Sequence, residues 1–370
     1  MHYFIITGES SGDLYGSKII QSLRKIDSDA NFSCFGGEYM KVTGANVIRN
    51  LDKLSFMGFS EVVKNIATVF KNVCIAKKHI NTTKPNAIIL IDYPAFNMQI
   101  AKYSHQMGIP IYWVVAPKVW AWNYNRVYKL KKYVNSLFVI FPFELSLFTK
   151  HKIKTRYLGN PLIDIFHNQV KSNLEKPLAK SIIALLPGSR KQEIQNMLPL
   201  MLLASLEFPS YRFVVVCAKN INRSFYESFT DDYNSVELSY DNDILNSVTA
   251  AVVTSGTATL ELAILKIPQL VCYRLNFISF FLARLLVKIK HISLVNILGQ
   301  REIVKELIQS QCTVDNIISE IKIILNKTNR NQMLKDYEQV AIMLGKPGFF
   351  DNVSRSIHVD LSGINNAATK

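Results

Sequence analysis

The sequence predicts an α/β protein built from two consecutive, doubly wound domains. Short apolar runs typical of buried parallel strands alternate with longer segments of helical periodicity, and this alternation stops once and then restarts. The 370 residues exceed the usual size of a single hydrophobic core, and 49% of them are hydrophobic against 19% charged. The chain therefore has the material for two cores and does not resemble a disordered protein.

The first half of the chain predicts one parallel sheet with helices between its strands. The predicted strands lie near residues 3–7, 32–35, 87–91, 111–115, 137–141 and 156–158. The segment HNQVKSNLEKPLAKS at 167–181 is polar, contains Pro177 and lacks apolar periodicity, so it is interpreted as a linker. The first domain is therefore expected to span 1–166.

The second half repeats the pattern in a domain expected to span 182–345. Its predicted strands lie near residues 182–186, 212–216, 236–238, 250–254 and 269–273. Beyond about residue 301 the chain is predicted to be wholly helical, and the tail at 363–370 to be disordered. Because ligands bind beyond the carboxyl ends of strands in such sheets, a cleft between two facing domains is the expected site.

The net charge of +15 predicts an anionic partner, which could be nucleic acid, an anionic membrane or a phosphorylated substrate. Small scattered groups of lysines, without a long basic tail, disfavour nucleic acid. No apolar run reaches the length of a membrane-spanning helix, and the start of the chain does not have the pattern of a signal peptide. The five cysteines include no close pair, which argues against a disulfide framework and fits a reducing cytoplasm.

A glycine-containing turn follows the first strand of the second domain. In LLPGSRKQE, Gly188 permits close approach of a ligand, while Ser189 and Arg190 offer a hydroxyl, backbone N–H groups and a guanidinium. These groups suit a phosphate or diphosphate at a helix start. A plain turn carrying a surface arginine explains the same residues equally well.

A second polar turn, in VVTSGTATLE, ends a later strand of the same domain. Ser255, Gly256 and Thr257 can bind a second phosphate oxygen or cap the following helix. Glu261 lies four residues further on among apolar neighbours, where it can accept hydrogen bonds from a ribose diol. Together with a diphosphate at Arg190, this arrangement predicts a nucleotide site in the second domain.

The first domain opens with a different turn, TGESSGDLYG at 7–16. Its glycine spacing is not the dinucleotide fingerprint. Its two acids, Glu9 and Asp13, suit sugar hydroxyls better than a second diphosphate. Asp13 can also be explained as a cap of the first helix.

An acid ends a buried strand of the first domain, in IILIDYPAFN. Asp92 is expected to have a raised pKa and to take a proton from an alcohol, although a structural Asp that holds the turn is the alternative. Further along, APKVWAWNYNR clusters Trp120 and Trp122 with Lys118 and Arg126. Aromatic faces and cations fit a sugar and an anionic group, and they fit core packing nearly as well.

The segment at 56–79 has an apolar stripe with lysines elsewhere on the helix. This pattern fits a core helix, which is the commoner case, or a helix lying on an anionic membrane. The stripe is formed by Val62, Ile66, Val69, Phe70 and Val73.

Ten short motifs occur in order between about residue 5 and residue 310. They are GESSGD, GGEYM, MGFSEVV, IDYPAFN, APKVWAW, FPFE, LGNP, LLPGSR, SGTATLE and SLVNIL. This ordered set resembles the lipid-A-disaccharide synthases, bacterial glycosyltransferases of family 19. The resemblance implies the GT-B architecture, in which two Rossmann-like doubly wound domains face each other across a cleft and a C-terminal helix, here 346–370, commonly packs back on the first domain.

The resemblance also implies a reaction. In this family 2,3-diacylglucosamine passes from UDP-2,3-diacylglucosamine to the 6-hydroxyl of 2,3-diacylglucosamine 1-phosphate, with inversion, a β-1′,6 linkage and release of UDP. By position Asp92 resembles the general base, Arg190 the diphosphate ligand and Glu261 the ribose ligand. Glu9, Ser11 and Asp13 would line the acceptor side, and Asn296 matches an Asn of the donor domain. The resemblance further implies that helix ends and arginines take the place of a divalent metal at the diphosphate, so neither a metal nor a cofactor is expected.

Acylated substrates imply a cytoplasmic protein bound peripherally to the anionic inner face of the bacterial inner membrane, without nucleic acid as a partner. The oligomeric state and the acyl-chain length stay open.

Three positions depart from the family pattern: Ala95 replaces a second Asp, Asn160 replaces a frequent His and Val295 replaces a Pro. The alternatives are another GT-B enzyme acting on a UDP-sugar, either an N-acetylglucosaminyltransferase or an epimerase, and a non-catalytic basic protein that binds nucleotides or RNA.

Overall fold

The chain folds into two compact units. The computed structural model describes residues 1–51, 54, 66–173, 182–274 and 290–368. One unit comprises Met1–Asp164 together with Lys346–Lys370, and the other comprises Ile165–Gly345. The end of the predicted linker, residues 174–181, lies outside the described residues.

The first unit contains a seven-stranded, wholly parallel sheet in the order β3-β2-β1-β4-β5-β6-β7. The order reverses direction between β1 and β4, so a crevice is expected beyond the carboxyl ends of these two strands. The strands are β1 His2–Ile6, β2 Asn31–Gly36, β3 Asn46–Asn50, β4 Ala87–Ile91, β5 Ile111–Val114, β6 Ser136–Val139 and β7 Thr155–Tyr157.

The second unit contains a six-stranded parallel sheet in the order β10-β9-β8-β11-β12-β13. Here the order reverses between β8 and β11. The strands are β8 Ile182–Leu186, β9 Arg212–Val216, β10 Val236–Ser239, β11 Ala250–Thr254, β12 Gln269–Tyr273 and β13 Glu306–Ile308.

Helices connect the strands of both units and cover the sheets. Central strands such as β4, β8 and β11 are buried along their whole length, which is why their sequences are uninterrupted apolar runs. The helices are α1 Ser10–Ile26, α2 Glu38–Val42, α3 Ile66–Thr83, α4 Pro94–Gln106, α5 Arg126–Tyr133, α6 Pro142–Lys150, α7 Pro161–Asn173, α8 Lys191–Ser205, α9 Arg223–Thr230, α10 Ala258–Ile264, α11 Leu294–Gly299, α12 Val314–Leu325, α13 Lys327–Met343 and α14 Phe349–Ala368. No helix in the described ranges is both long enough and apolar enough to cross a bilayer.

The C-terminal helix α14 packs on α1 of the first unit. The Asp164 carboxylate caps it by accepting hydrogen bonds from the N–H groups of Gly348 at 2.7 Å and of Phe349 and Phe350 at 3.2 Å. Further along, Asp360 pairs with Lys154 and Arg156. The cap by Asp164 and the ion pairs of Asp360 thus hold α14 on the first unit, although α14 is remote in sequence from the rest of that unit.

Four elements differ from the sequence predictions. The edge strand β3 was not predicted. The short strand β13 was not predicted either, so the expectation that the chain is wholly helical beyond residue 301 is wrong. Helix α7 extends to Asn173, into the predicted linker, and α14 extends to Ala368, into the tail predicted to be disordered. Asn160 lies buried before α7, with its side-chain oxygen accepting from Leu162 N–H, so this departure from the family pattern has a structural role.

Candidate active site

The crevice of the first unit is formed by a strained turn after β4. Asp92 and Tyr93 both have left-handed backbone angles, φ 45° and 47°, which non-glycine residues rarely adopt. The buried Asn97 side chain donates to the Asp92 carbonyl at 2.7 Å, and Pro94 begins α4 at once. The strand, two left-handed residues and the helix therefore hold Asp92 at the carboxyl end of β4.

Asp92 is half-buried, and burial raises the pKa of its carboxyl group. The charge of Lys118, a hydrogen bond from the Tyr93 N–H and the charge of Arg126 oppose this rise. A carboxylate with a raised pKa and nearby cations is suited to accept a proton near neutral pH.

The turn after β1 lies beside this acid, because β1 and β4 are neighbours in the sheet. A side chain at Gly8 would meet the Tyr93 ring at 2.5 Å, so only glycine allows the two turns to pack. The charge of Glu9 adds to burial in raising the pKa of Tyr93 to about 12, which places Glu9 near that ring. Ser11 is exposed in the first turn of α1.

Asp13 has a different role from the one predicted. Its carboxylate is buried and accepts hydrogen bonds from the N–H groups of Gly37, Tyr39 and Met40 at 2.7, 2.9 and 3.3 Å. It therefore caps α2, not α1, and its oxygens are used within the protein. The expectation that Asp13 caps the first helix is wrong, and a role in positioning the β2–α2 turn replaces direct contact with a sugar.

The long loop between β5 and α5 is attached to the start of α6 by a buried acid. Glu144 is 1% exposed and accepts hydrogen bonds from Trp120 Nε1 at 2.9 Å and from the Phe141 N–H at 3.1 Å. Burial raises the pKa of Glu144 to about 7, against these hydrogen bonds and the charge of Lys118. Trp120 thus anchors the loop that carries Lys118 through its indole N–H, and Trp120 itself is half-buried.

Arg126 is placed at the end of the same loop. Its guanidinium lies 4.3 Å from the centroid of the Trp122 ring, a cation–π contact. Burial lowers the pKa of Arg126, and the charge of Asp92 opposes this shift, so the two groups are close. The structure therefore places Arg126 beside Asp92 and beside Trp122, one of the two tryptophans grouped with it in the sequence.

We expect Trp120→Phe to lower the free energy of unfolding by about 1–3 kcal/mol, because a buried carboxylate loses a hydrogen-bond donor. Chemical denaturation of the two proteins measures the difference. Trp122→Phe is the matched control, since Trp122 is 45% exposed and should cost under about 0.5 kcal/mol. Equal stability of the two variants would contradict the anchoring role of Glu144.

The crevice of the second unit lies between the turns that follow β8 and β11, which are neighbouring strands. Gly188 has φ 117°, a conformation that favours glycine. The Glu193 carboxylate accepts from the Ser189 N–H at 3.0 Å and pairs with Arg190 at 3.3 Å. The donors of this turn thus already surround anionic oxygens, which is the chemistry that a diphosphate requires.

The turn after β11 is exposed at Gly256. No atom of the described residues lies within 4 Å of a side chain built there. Ser255 donates its hydroxyl to the Ile292 carbonyl at 2.8 Å, and Thr257 precedes α10 without a side-chain capping bond. The N–H end of α10 is therefore accessible, while the Ser255 hydroxyl is used within the protein.

Glu261 projects from the first turn of α10. Desolvation by burial raises its pKa to about 7. Within the described residues, no hydrogen bond or ion pair involves this carboxylate. A partly buried acid in this state is ready to accept hydrogen bonds from the hydroxyl groups of a ligand.

We expect Glu261→Gln to raise the melting temperature at pH 8 by roughly 2–4 °C, the shift that about 1 kcal/mol produces in a domain of this size. The folded-state pKa near 7 exceeds the ordinary value of 4.5, so the stabilising effect of the neutral form is complete below pH 4.5 and is lost as the pH rises through 7. At pH 4, below both pKa values, the two proteins should melt alike. Glu338→Gln, which removes an exposed partner of Lys266 at 2.7 Å, should give no rise at pH 8. A lower melting temperature for Glu261→Gln at pH 8 would contradict the uncompensated burial of this acid.

Asn296 is fully buried at the centre of a hydrogen-bond network. Its amide oxygen accepts from the N–H groups of Ile303 and Val304, and its amide nitrogen donates to Val304 O and to Glu306 Oε1. Glu306 in turn binds the N–H groups of residues 292 and 293, beside the carbonyl that accepts from Ser255. The expectation of direct ligand contact by Asn296 is therefore replaced by a role in positioning the β11–α10 turn.

Comparison with known proteins identifies the family. The family model described as lipid-A-disaccharide synthetase matches residues 3–350. Lipid-A-disaccharide synthase of Coxiella burnetii strain CbuK_Q154 is 31% identical over 364 residues, covering 96% of this chain and 97% of that protein. Lipid-A-disaccharide synthase 1 of Legionella pneumophila strain Lens is 30% identical and covers 94% and 96%. The chain belongs to the lipid-A-disaccharide synthase family.

Solved structures confirm the predicted GT-B fold class of this synthase family member. The UDP-GlcNAc 2-epimerase of Neisseria meningitidis bound to UDP-GlcNAc aligns with a TM-score of 0.63 at 13% identity, covering 98% of this chain and 100% of that one. Acinetobacter baumannii MurG aligns with a TM-score of 0.58 at 10% identity, covering 96% and 99%. At these identities the likeness concerns the fold, and the family membership establishes that the chain is a glycosyltransferase.

Most of the described part of the apolar stripe predicted for membrane contact belongs to the hydrophobic core of this protein. Val73 is 3% exposed in the central hydrophobic cluster and Val69 packs against that cluster, so a membrane contact by Val73 is wrong. Phe70 is 68% exposed. Val62 and the side chain of Ile66 lie outside the described residues.

The sequence assigned no role to three residues that shape the two crevices, which are Asn97, Glu144 and Glu193. Asn97 acts on Asp92 through the backbone, while Glu144 and Glu193 hold the neighbouring turns. Both glutamates occur three residues after the residue that precedes a helix, which is the position of the acid in a capping box. That spacing was a usable signal for the glutamates. Lys118 was grouped with Arg126 as a cation for an anionic ligand, and the structure adds that its charge acts on Asp92.

Proposed function

We propose that the protein transfers the 2,3-diacylglucosaminyl group of UDP-2,3-diacylglucosamine to the 6-hydroxyl of 2,3-diacylglucosamine 1-phosphate. The products are UDP and a β-1′,6-linked disaccharide 1-phosphate. Membership of the lipid-A-disaccharide synthase family supports the reaction class. The observation that carries the proposal is the division of chemistry between the two crevices: one holds an acid of raised pKa, and the other holds Arg190 and Glu261.

The first unit supplies the base. Asp92 takes the proton of the acceptor hydroxyl as its oxygen attacks the anomeric carbon of the donor. The bond from that carbon to the diphosphate oxygen breaks, and UDP leaves with the electron pair. Attack from the face opposite the leaving group inverts the anomeric centre in one displacement, without a covalent intermediate. Glu9 and Ser11 contribute to acceptor binding beside Asp92.

The second unit binds the donor nucleotide. Arg190 and the Gly188–Ser189 turn bind the diphosphate and stabilise the charge that develops on it, with the α8 N-terminus behind them. Glu261 accepts hydrogen bonds from the ribose diol, and the accessible N–H groups at Gly256 and Thr257 reach a phosphate oxygen. The proposal includes neither a metal nor a cofactor.

The chemistry of the substrates also places the reaction in the cell. Both substrates carry acyl chains and reside in a bilayer, so we propose a cytoplasmic protein that binds peripherally to the anionic inner face of the bacterial inner membrane. The +15 net charge supports this location.

Donor and acceptor dependence tests the proposed function. UDP release is measured with UDP-2,3-diacylglucosamine, with and without 2,3-diacylglucosamine 1-phosphate in detergent micelles, and in parallel with UDP-GlcNAc. We expect rapid release only when both acylated substrates are present, with one disaccharide formed per UDP. Epimerisation of UDP-GlcNAc, or its use as a glycosyl donor, would contradict the proposal and favour another GT-B activity.

A further inference from the structure

A cluster of exposed aromatic side chains lies on the first unit. Trp122, Tyr124 and Tyr128 are 45%, 46% and 60% exposed. The Tyr124 hydroxyl is 2.7 Å from His151 Nε2, and the rings of both tyrosines contact the His151 ring edge to face, with centroids 5.6 and 5.9 Å apart. Large apolar side chains that share one exposed surface, and are not scattered singly, indicate a binding surface. Tyr124, Tyr128 and His151, which these contacts join, are called the aromatic patch.

The sequence around the aromatic patch is strongly basic. Residues 116–157 contain nine lysines and arginines and a single acid, Glu144, which is buried. Lys154 and Arg156 are neutralised by Asp360. In the described parts of the chain no ion pair involves the exposed cations of α5 and of the α6 C-terminus, which are Lys129, Lys131, Lys132, Lys150 and Lys152.

The geometry of α5 brings the aromatic and basic groups together. Lys131 and Lys132 lie three and four residues after Tyr128, so all three share one face of the helix. Lys150 and Lys152 flank His151 in the sequence, and His151 contacts both tyrosines. One surface therefore presents amphipathic rings surrounded by cations.

We propose that the aromatic patch and these lysines form a docking surface for an anionic phospholipid bilayer. Trp and Tyr side chains favour the headgroup region, where the ring contacts acyl chains and the polar atom stays hydrated, and lysines attract anionic headgroups. The surface complements the charge of such a membrane. The choice of a bilayer rests on the proposed function, whose substrates carry acyl chains. Most of the described α3 stripe is unavailable for this purpose, since Val69 and Val73 pack in the core.

Vesicle sedimentation tests the docking surface. The full-length protein is mixed with vesicles of phosphatidylcholine alone or with about one third phosphatidylglycerol, and the Lys131→Gln/Lys132→Gln and Tyr128→Ser variants are compared with wild type. We expect wild type to prefer the anionic vesicles and the double lysine variant to bind them about 30-fold more weakly, because each lysine contributes roughly a factor of five. Tyr128→Ser should also bind more weakly.

Matched controls come from the same unit. Lys18→Gln/Lys41→Gln and Tyr39→Ser alter exposed residues elsewhere and should bind vesicles like wild type. Wild-type affinity of the α5 variants for anionic vesicles would overturn the proposal. Displacement of the protein from vesicles by a single-stranded oligonucleotide, with loss of oligonucleotide binding in the same variants, would assign the surface to nucleic acid and also overturn it.

A second assay separates this surface from the catalytic proposal. Turnover of short-chain, water-soluble substrate analogues without vesicles should be unchanged in the α5 variants, because none of the substituted residues contacts either crevice. If the wild type turns over neither analogue but the α5 variants bind vesicles more weakly than wild type, the docking surface is supported and the proposed reaction is rejected. Normal turnover combined with unchanged vesicle binding would reject the surface alone.

Discussion

Asp92→Asn should reduce kcat by about 10²- to 10⁴-fold, the range expected when a general base is removed. The substitution keeps the shape of the side chain and the left-handed turn, so folding and UDP affinity should be preserved. Acceptor-dependent UDP release gives kcat, and calorimetric titration gives the UDP dissociation constant. Asp29→Asn, an exposed acid of the same unit, is the matched control and should retain wild-type kcat. Retention of more than a tenth of the activity by Asp92→Asn would exclude Asp92 as the base.

The pH dependence of kcat/KM should show how neighbouring charges act on Asp92, as well as whether Asp92 is the base. The charge of Lys118 opposes the rise that burial causes in the Asp92 pKa. Lys118→Gln removes this opposition, so the pKa rises and the acid limb of kcat/KM should move to higher pH, because the base acts in its ionised form. An unshifted acid limb in Lys118→Gln would mean that another group limits the rate at low pH.

Arg190→Ala should weaken UDP binding by about 10- to 100-fold, since a charge-assisted hydrogen bond to phosphate is worth roughly 1.5–3 kcal/mol. Arg190→Lys should recover part of the affinity, because lysine supplies the charge without the planar fork of donors. Arg212→Ala is the matched control: Arg212 is an exposed arginine of the second unit that pairs with Glu237. Unchanged UDP affinity in Arg190→Ala would move the diphosphate away from the β8–α8 turn.

The interior of both sheets was predictable because buried parallel strands are continuous apolar runs. Of the edge strands, β7 and β10 were also predicted, whereas β3 and β13 were not. Asn46–Asn50 has polar residues at both ends and no buried position, and Glu306–Ile308 is three residues long and begins with a buried acid that binds a neighbouring loop. Neither contains the apolar run by which a strand is recognised from sequence.

The location of the candidate site followed from topology, whereas the roles of individual side chains did not. Turns after parallel strands meet at one edge of a sheet, so Asp92 near Glu9 and Arg190 near Ser255 could be expected from the chain order. Asp13 shows where this reasoning fails. Its hydrogen-bond partners lie 24 to 27 residues away, and the pattern within α1 fits a local cap equally well.

The roles of buried amides and acids were equally hard to predict from the sequence. Asn296 lies in a motif shared with its family, which suggested ligand contact, yet both ends of its amide bind protein groups. Glu261 lies in a comparable motif, and no described residue forms a hydrogen bond or an ion pair with its carboxylate. The two side chains could not be told apart in sequence, because the difference depends on which loop folds over each of them.

Hydrogen–deuterium exchange with each ligand in turn tests the central claim that the two crevices divide the work. We expect UDP to slow exchange in peptides covering 187–193 and 255–261 of the second unit, and 2,3-diacylglucosamine 1-phosphate to slow exchange in 8–13 and 92–97 of the first unit. Protection of 8–13 and 92–97 by UDP, with the second-unit turns unaffected, would contradict the assignment of the nucleotide to Arg190 and Glu261 and of the acceptor to Asp92.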